Sequence, residues 1–427
     1  MTRIDARLER LHTLYPRLID LRLERLERLL AALGNPERRL PPIIHVAGTN
    51  GKGSTCAFIR AIAEAAGLRP HVYTSPHLVR FNERIRIAGA LVDDDVLDAA
   101  LAEIERVNDT APITVFEAIT AAAFLLFAAQ DADLAVIEVG LGGTFDATNV
   151  IPPPVAAGIT AISLDHREFL GDTETVIARE KAGIIKPDVY TVTGTQPPDI
   201  FAVIEETARG KGASLAARGR EWFVTPSAQS FGFEDARGRL DLPHPSLGGA
   251  HQFDNAGIAI ASLRGSGIAI PEDAFATGMI RAEWPARLQR LASPFVDLLP
   301  SGSSLWLDGA HNPGGAHAIA GVLRDWPGPT HLIVGMKQSK DCAEFLRIVM
   351  PHAASIQAVA EPEQHLALPV DQIVAASGGI ATVGPDVATA LRRLAEDGEA
   401  KRVMICGSLY LAGVILARAQ AFASVSG

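Results

Sequence analysis

Ile43-Ile44-His45-Val46-Ala47-Gly48-Thr49-Asn50-Gly51-Lys52-Gly53-Ser54-Thr55 decides how the rest of the chain is read. An apolar run ends in a glycine-rich turn, and the turn opens a stretch carrying a lysine and two hydroxyls. Gly48, Gly51 and Gly53 let the backbone approach an anion closely and take φ > 0 where the turn needs it. Successive N–H groups and a helix N-terminus then point at phosphate oxygens. Lys52 supplies a point charge, and the Ser54 hydroxyl can join a Mg²⁺ shell. The generic phosphate-loop pattern is departed from once, by the extra glycine Gly53 between Lys52 and Ser54. A glycine-rich connection that binds nothing is the competing reading.

Outward from this loop, the chain alternates. A strand at 43–47 and a helix at 52–66 are followed by helical patterns at 95–107 and 116–130. Leu134–Val139 and Val155–Ser163 are continuous apolar runs. Continuous apolar strands alternating with helices predict a mainly parallel sheet covered on both faces. Upstream, residues 5–33 repeat leucine at helical spacing, which predicts amphipathic helix interrupted near Pro16. Downstream, strands are expected at 304–307, 331–334, 355–359, 380–383 and 402–406. Helices are expected at 314–324, 341–350, 385–396 and 409–423, completing a second doubly wound unit. Proline and small residues cluster between Leu291 and Ser301, so the expected domains are 1–293 and 294–427, with a pivot at 288–300. The fold class is α/β: a phosphate-loop central domain and a second, smaller Rossmann-like α/β domain.

The 427 residues are 48% apolar and 21% charged, which excludes global disorder. Lys+Arg 39 minus Asp+Glu 49 gives −10, unlike a nucleic-acid binder working by counterion release. Cys56, Cys342 and Cys406 are odd in number and widely spaced, which writes neither a disulfide framework nor a CxxC metal site. The first residues are charged throughout, so no signal peptide is expected. The richest apolar run, 121–129, is too short for a membrane span and reads as buried helix. The expectation is a cytoplasmic protein acting on small molecules, a monomer, with no nucleic-acid or membrane partner.

Two further signals carry chemistry. Glu138 ends an otherwise apolar strand, at the edge where open α/β sheets place their ligand crevice. A carboxylate there needs a partner, either a salt bridge or a hard cation such as Mg²⁺. Asp165-His166 follows the next strand, and Glu180-Lys181-Ala182-Gly183-Ile184 follows that. Alone, His166 reads as an ordinary hydrogen-bonded histidine and Lys181 as a solvated helix lysine.

Taken together, GTNGKGS (48–54), SPHLVRFNERI (75–85), EVGLGGTFDATN (138–149), DHREFLG (165–171), EKAGI (180–184), HQFDNA (251–256), WPARL (284–288), DGAHNP (308–313) and GSLY (407–410) stand in an order that resembles one family. This is the folylpolyglutamate synthase family, specifically its bifunctional dihydrofolate synthase/folylpolyglutamate synthases, within the Mur ligase superfamily of ATP-dependent amide-bond ligases. The resemblance implies a Mur-ligase-like central domain and a glutamate-ligase C-terminal domain. It implies that Gly48, Thr49, Asn50, Gly51, Lys52, Gly53 and Ser54 cradle ATP, with Asn255, Arg287 and Asp308 as further nucleotide contacts. Ser54, Glu138 and His166 are implied as ligands of two Mg²⁺ sites, with room for a monovalent cation. Lys181 is implied as a carbamylated lysine. Lys52, Lys181, His166 and Glu138 are the implied catalytic set. Asp20, Leu21, Ser75, Arg84, Phe116, Glu117, Phe145, Asp146 and Ala147 are implied around the pterin substrate, and 75–85 as a mobile loop between the clefts. Two departures stand out: Thr144 where the family commonly has Arg, and Arg167 where it commonly has Thr. Arg167 could return a cation to the same cleft.

The implied chemistry is activation of a carboxylate as an acyl phosphate, followed by attack of the L-glutamate amine. The implied acceptors are dihydropteroate and reduced folates. A folylpolyglutamate synthase alone is the alternative within the family, and the Asp20-Leu21 neighbourhood favours the bifunctional reading. A phosphate-loop phosphotransferase would explain 48–54 and Glu138 but not Lys181, His166 and the Asp308 segment together. A nucleotide-binding module without turnover is the third class.

Overall fold

The computed structural model describes residues 3–15 and 20–426. Helices α1 (Arg3–Leu14) and α2 (Glu24–Ala32) open the chain. The interruption expected near Pro16 falls on residues 16–19, outside the described part. Next come β1 (Ile43–Ala47), α3 (Lys52–Ala65), β2 (Pro70–Tyr73), β3 (Ile85–Ile87), β4 (Ala90–Leu91), α4 (Asp94–Asn108), α5 (Val115–Ala128) and β5 (Leu134–Glu138). They are followed by β6 (Ala156–Ile159), α6 (Arg167–Leu170), α7 (Glu174–Ala182), β7 (Tyr190–Thr193), α8 (Pro198–Gly210) and β8 (Leu215–Ala217). Among the described residues the sheet order is β4-β3-β2-β5-β1-β6-β7-β8, and every pairing from β2 to β8 is parallel.

All five residues of β1 and of β5 are buried because both sheet faces are covered. Ile44, Val46 and Val136 join a core with α3, while Ile43, Tyr73 and Ile137 join another with α1, α2, α4 and α5. Each such side chain contributes about 1.5–3 kcal/mol by leaving water. That two-sided burial is why these strands read as unbroken apolar runs.

The run expected as strand to Ser163 leaves the sheet at Ile159. The Ala161 carbonyl instead accepts the N–H groups of Thr49 and Asn50, at 3.0 and 3.1 Å, so 160–163 wraps the phosphate loop. A three-stranded antiparallel sheet, β9 (Trp222–Pro226), β10 (Ser230–Asp235) and β11 (Gly238–Pro243), was not legible in the sequence. It buries Trp222, Phe231 and Phe233 in the same core as α9 (His251–Gly265) and α10 (Glu272–Arg281).

The second sheet contains β12 (Gln289–Leu291), β13 (Ser304–Leu307), β14 (Thr330–Val334), β15 (Ser355–Ala358), β16 (Thr382–Val383) and β17 (Arg402–Cys406). Its order is β12-β13-β17-β14-β15-β16, parallel except for β12. Helices α11 (Pro313–Asp325), α12 (Cys342–Val349), α13 (Val370–Ala376), α14 (Val387–Leu394) and α15 (Leu409–Ser426) complete it. Because β12 pairs with β13, the second unit takes residues from before 294. A division at 293/294 or a pivot at 292–300 would part β12 from β13, whereas a pivot at Leu288 would not. The three cysteines are free and buried.

Candidate active site

β1 lies between β5 and β6, so the segments after these three parallel strands emerge side by side at one sheet edge. Val46 is in register with Glu138 and Ala47 with Ile159. Strand order alone therefore sets the phosphate loop between Glu138 on one side and the 160–166 segment on the other. This is the carboxyl-edge crevice expected at such a switch point.

The loop glycines are demanded by contact. Gly51 has φ 94 and precedes α3, and a Cβ there would sit 2.2 Å from Asn255 Oδ1. A Cβ on Gly53 would meet the Trp284 ring at 2.6 Å, which accounts for the extra glycine. Asn255 donates to Gln252 Oε1 at 2.9 Å, and Gln252 Nε2 reaches Ser54 Oγ at 3.4 Å. Gln252 was not singled out from sequence; only packing of α9 on α3 brings it to the loop.

Two lysines converge on one carbonyl. Lys52 Nζ donates to Gly48 O at 3.1 Å and Thr49 O at 3.2 Å, and Lys181 Nζ donates to the same Gly48 O at 2.9 Å. Burial, with the charge of Lys52 adding to it, lowers the Lys181 amine to about 7. Lys181 is held there by close packing: a Cβ on Gly143 would strike Glu180 O at 2.4 Å. Thr144 adds its N–H and hydroxyl to that carbonyl, at 2.9 and 3.2 Å. The departure at Thr144 thus anchors the last turn of α7. Arg167 does not return a cation to the cleft; it pairs with Asp172 at 2.9 Å on the exposed surface.

Glu138 is buried, and the hydrogen bond it accepts among the described residues is long, 3.3 Å from Ser75 N. Burial raises its carboxyl to about 7, against the pull of Lys52, the Ser75 N–H, Arg287 and Arg84. A carboxylate so poorly compensated has capacity left for a hard cation. His166 sits at φ 51 before α6, and burial lowers its imidazole to about 4, so the ring is neutral and able to ligate. Among the described residues no group of three or more His, Cys, Asp or Glu is placed to hold a metal alone. Ser54, Glu138 and His166 could hold Mg²⁺ only with a shell finished by phosphate and water.

Asp165 faces the second domain. It accepts Asn312 Nδ2 at 3.0 Å and Lys340 Nζ, and lies 3.5 Å from His311 Nε2. Asn50 and Asn312 exchange hydrogen bonds at 3.1 Å in both directions. Asp308 accepts Leu288 N and Ala310 N, both at 2.8 Å. Ala286 (φ 55) and Leu288 (φ 44) are left-handed on either side of Arg287, a backbone costing about 1–2 kcal/mol per residue. A cleft of about 290 Å³ between the domains is lined by Gly249, His251, Leu288, His317 and Trp326, among others.

The remaining candidates form a second group. Arg25 donates to Glu117 at 2.9 and 3.2 Å and to Asp20 Oδ2 at 3.0 Å, and Tyr15 also donates to Asp20 at 2.6 Å. Leu21, like Leu141 and Leu164, packs against the core that contains Ile159, Leu170 and Ile177. Phe116 lies over Gly140, where a Cβ would meet it at 2.3 Å. Asp146 is buried and accepts Leu141 N and both the N–H and hydroxyl of Thr148; Ala147 is buried beside it, while Phe145 is 49% exposed. Arg84 is partly buried, donates to His77 Nδ1 at 2.9 Å, and has no carboxylate at ion-pair distance among the described residues. The 75–85 loop joins both units: Leu78 and Val79 pack into the second domain's core.

Residues 46–263 match the Mur ligase middle domain, and 296–418 match the dihydrofolate synthetase C-terminal domain. The chain is 38% identical over 339 residues to the dihydrofolate synthase/folylpolyglutamate synthase of Escherichia coli, covering 79% of this chain and 76% of that one. It superposes on the structure titled E. coli FolC in complex with DHPP and ADP with TM-score 0.89, at 33% identity over 98% of both chains. It superposes with TM-score 0.86, at 32% identity over 98% of both chains, on a bifunctional folylpolyglutamate synthase/dihydrofolate synthase with Mn, AMPPNP and L-glutamate bound. With the phosphate loop, the buried strand-end acid and the two-domain plan in place, these matches show that the chain belongs to the dihydrofolate synthase/folylpolyglutamate synthase family of Mur ligases.

Proposed function

We propose that this chain joins L-glutamate to 7,8-dihydropteroate, and then adds γ-linked glutamates to reduced folates, each bond driven by ATP through an acyl phosphate. As a member of its family it is an ATP-dependent ligase of folate metabolism. The observation that carries the finer reading is the meeting of Lys52, Lys181, Glu138 and the second domain's Asn312 around one phosphate loop.

The acceptor carboxylate attacks the γ-phosphorus and ADP leaves. The glutamate amine then attacks the acyl carbon, phosphate leaves, and the amine gives up its proton. Lys52 and Arg287 supply positive charge at the phosphates, since phosphoryl transfer is promoted by positioning and neutralisation. Mg²⁺ held by Ser54, Glu138 and His166 at two sites would neutralise the phosphate charge when bound. A carbamate on Lys181 would add an anion beside the loop. Arg84, partly buried and without a carboxylate partner among the described residues, suits an anionic substrate group. The interdomain cleft at His251 and Trp326 suits the nucleotide base, with Asn255 and Asp308 as further nucleotide contacts. Asp20, Leu21, Phe116, Glu117, Phe145, Asp146 and Ala147 form a polar and aromatic wall suited to a pterin. Among the described residues no helix is long and apolar enough to cross a membrane. Cytoplasmic location, a monomeric state and use of a monovalent cation remain part of the proposal.

The test is ADP release with dihydropteroate or tetrahydrofolate, each with and without L-glutamate. Glutamate-dependent release with both acceptors is expected. Release with tetrahydrofolate alone limits the chain to polyglutamylation; release independent of glutamate overturns the ligase reading.

A further inference from the structure

We propose that Asp165 is a positioning residue that clasps the second domain onto the phosphate loop, with Lys340 as its ionic partner. Three segments meet at this carboxylate. Lys340 Nζ and Asn312 Nδ2 arrive from the second domain, and His311 Nε2 lies 3.5 Å away. From its own domain Asp165 takes the N–H of His166 at 2.9 Å. Asn312 extends the network in two directions. It exchanges hydrogen bonds with Asn50 of the phosphate loop, and its Oδ1 accepts Gly315 N at 2.9 Å to cap α11. The start of α11, the phosphate loop and the turn carrying His166 are therefore one connected unit.

The approach is too close to be incidental. A Cβ on Gly314 would lie 2.5 Å from Asn50 Nδ2 and 2.7 Å from Ser163 Oγ. The side chains of Lys340 and Asp165 are 10% and 11% exposed, so neither charge is well hydrated without the other. A desolvated pair of this kind adds little net stability but strongly penalises loss of one partner, which makes it a device for geometry. The second domain cannot lift from the loop without separating this pair. The same carboxylate oxygen that holds Lys340 holds the left-handed backbone of His166. Docking of the second domain and placement of His166 are thus coupled through one side chain.

The functional arm of the test rests on the ligase reading; the structural arm does not. Asp165→Asn, Lys340→Met and the double variant are compared with the parent. Hydrogen exchange without ligands is expected to quicken at 48–51 and 309–316 in both single variants, with β5 and α5 unchanged. In the ligase assay kcat is expected to fall about 10- to 100-fold in each single variant, with the KM for glutamate within about twofold. The double variant is expected to be no worse than either single one, because both remove the same contact. Losses that multiply in the double variant overturn the clasp, as does unchanged exchange at both segments. A raised glutamate KM in Lys340→Met with Asp165→Asn fully active also overturns it, giving the lysine to the substrate instead. If the parent shows no glutamate-dependent ADP release, the ligase reading falls while the exchange data still decide the clasp.

Discussion

Lys181 offers the sharpest chemical test, because carbamylation needs a neutral amine. Lys181 Nζ donates to Gly48 O in a buried site shared with the charge of Lys52. The site therefore favours the neutral form, and the amine titrates at about 7. An ordinary lysine is ~0.1% neutral at pH 7.4, whereas one titrating at about 7 is roughly 70% neutral, a gain of several hundredfold. The neutral amine attacks the carbon of CO₂, an N–C bond forms as one C=O π bond opens onto oxygen, and the nitrogen loses a proton to leave a carbamate. At a fixed concentration of dissolved CO₂, lowering the pH from 7.4 to 6 should cut the neutral fraction to roughly 10%, and with it the rate of carbamylation about sevenfold. Carbon NMR of protein equilibrated with isotope-labelled bicarbonate should show one slow-exchanging carbamate signal, absent in Lys181→Ala. Ligase activity after bicarbonate depletion should recover on its return. Absence of the signal, with Lys181→Ala as active as the parent, would refute the reasoning.

Glu138→Gln should abolish glutamate-dependent ADP release, about 100-fold or more, yet stabilise the ligand-free protein at high pH. With the folded-state value raised from 4.5 to about 7, the acid's stabilising share is complete below pH 4.5 and lost as pH rises through 7. The variant should therefore match the parent near pH 4.5 and exceed it by about 3 kcal/mol at pH 8 in chelator, read by urea unfolding. Gly51→Ala should lose nucleotide binding by calorimetry while keeping its far-UV spectrum, because a methyl at φ 94 lands on Asn255. Retained affinity would remove the contact argument. Arg25→Ala leaves Glu117, buried at the start of α5, without its cation, which should cost about 3–5 kcal/mol of stability. It should also raise the KM for dihydropteroate with the KM for ATP unchanged; equal shifts in both would place Arg25 outside the pterin wall.

Residues that act through their own backbone were legible. The 43–55 stretch contains its strand, its glycine turn and its lysine within one short segment, so its geometry is a local matter. Glu138 was legible as a charge at the end of an apolar run, and the structure places it in register with Val46 of β1. Thr144 and Arg167 were read as departures affecting one cleft, but they separate. Thr144 anchors α7 through Glu180 O, and Arg167 turns to Asp172. Nothing in the local sequence distinguishes a side chain that turns inward from one that pairs at the surface. The antiparallel sheet β9–β11 was not legible because its strands are only partly buried and lack the unbroken apolar run that marks β1 and β5.

Read alone, the chain specifies an α/β protein with a phosphate loop, since glycine stereochemistry and apolar periodicity act over a few neighbouring residues. The meeting of Lys181 with Gly48, 133 residues apart, and of Asn50 with Asn312, 262 apart, belongs to the folded molecule. Those distances are set by the order in which strands join a sheet and by how two domains dock. Both are settled by burial across the whole chain, which no single segment contains.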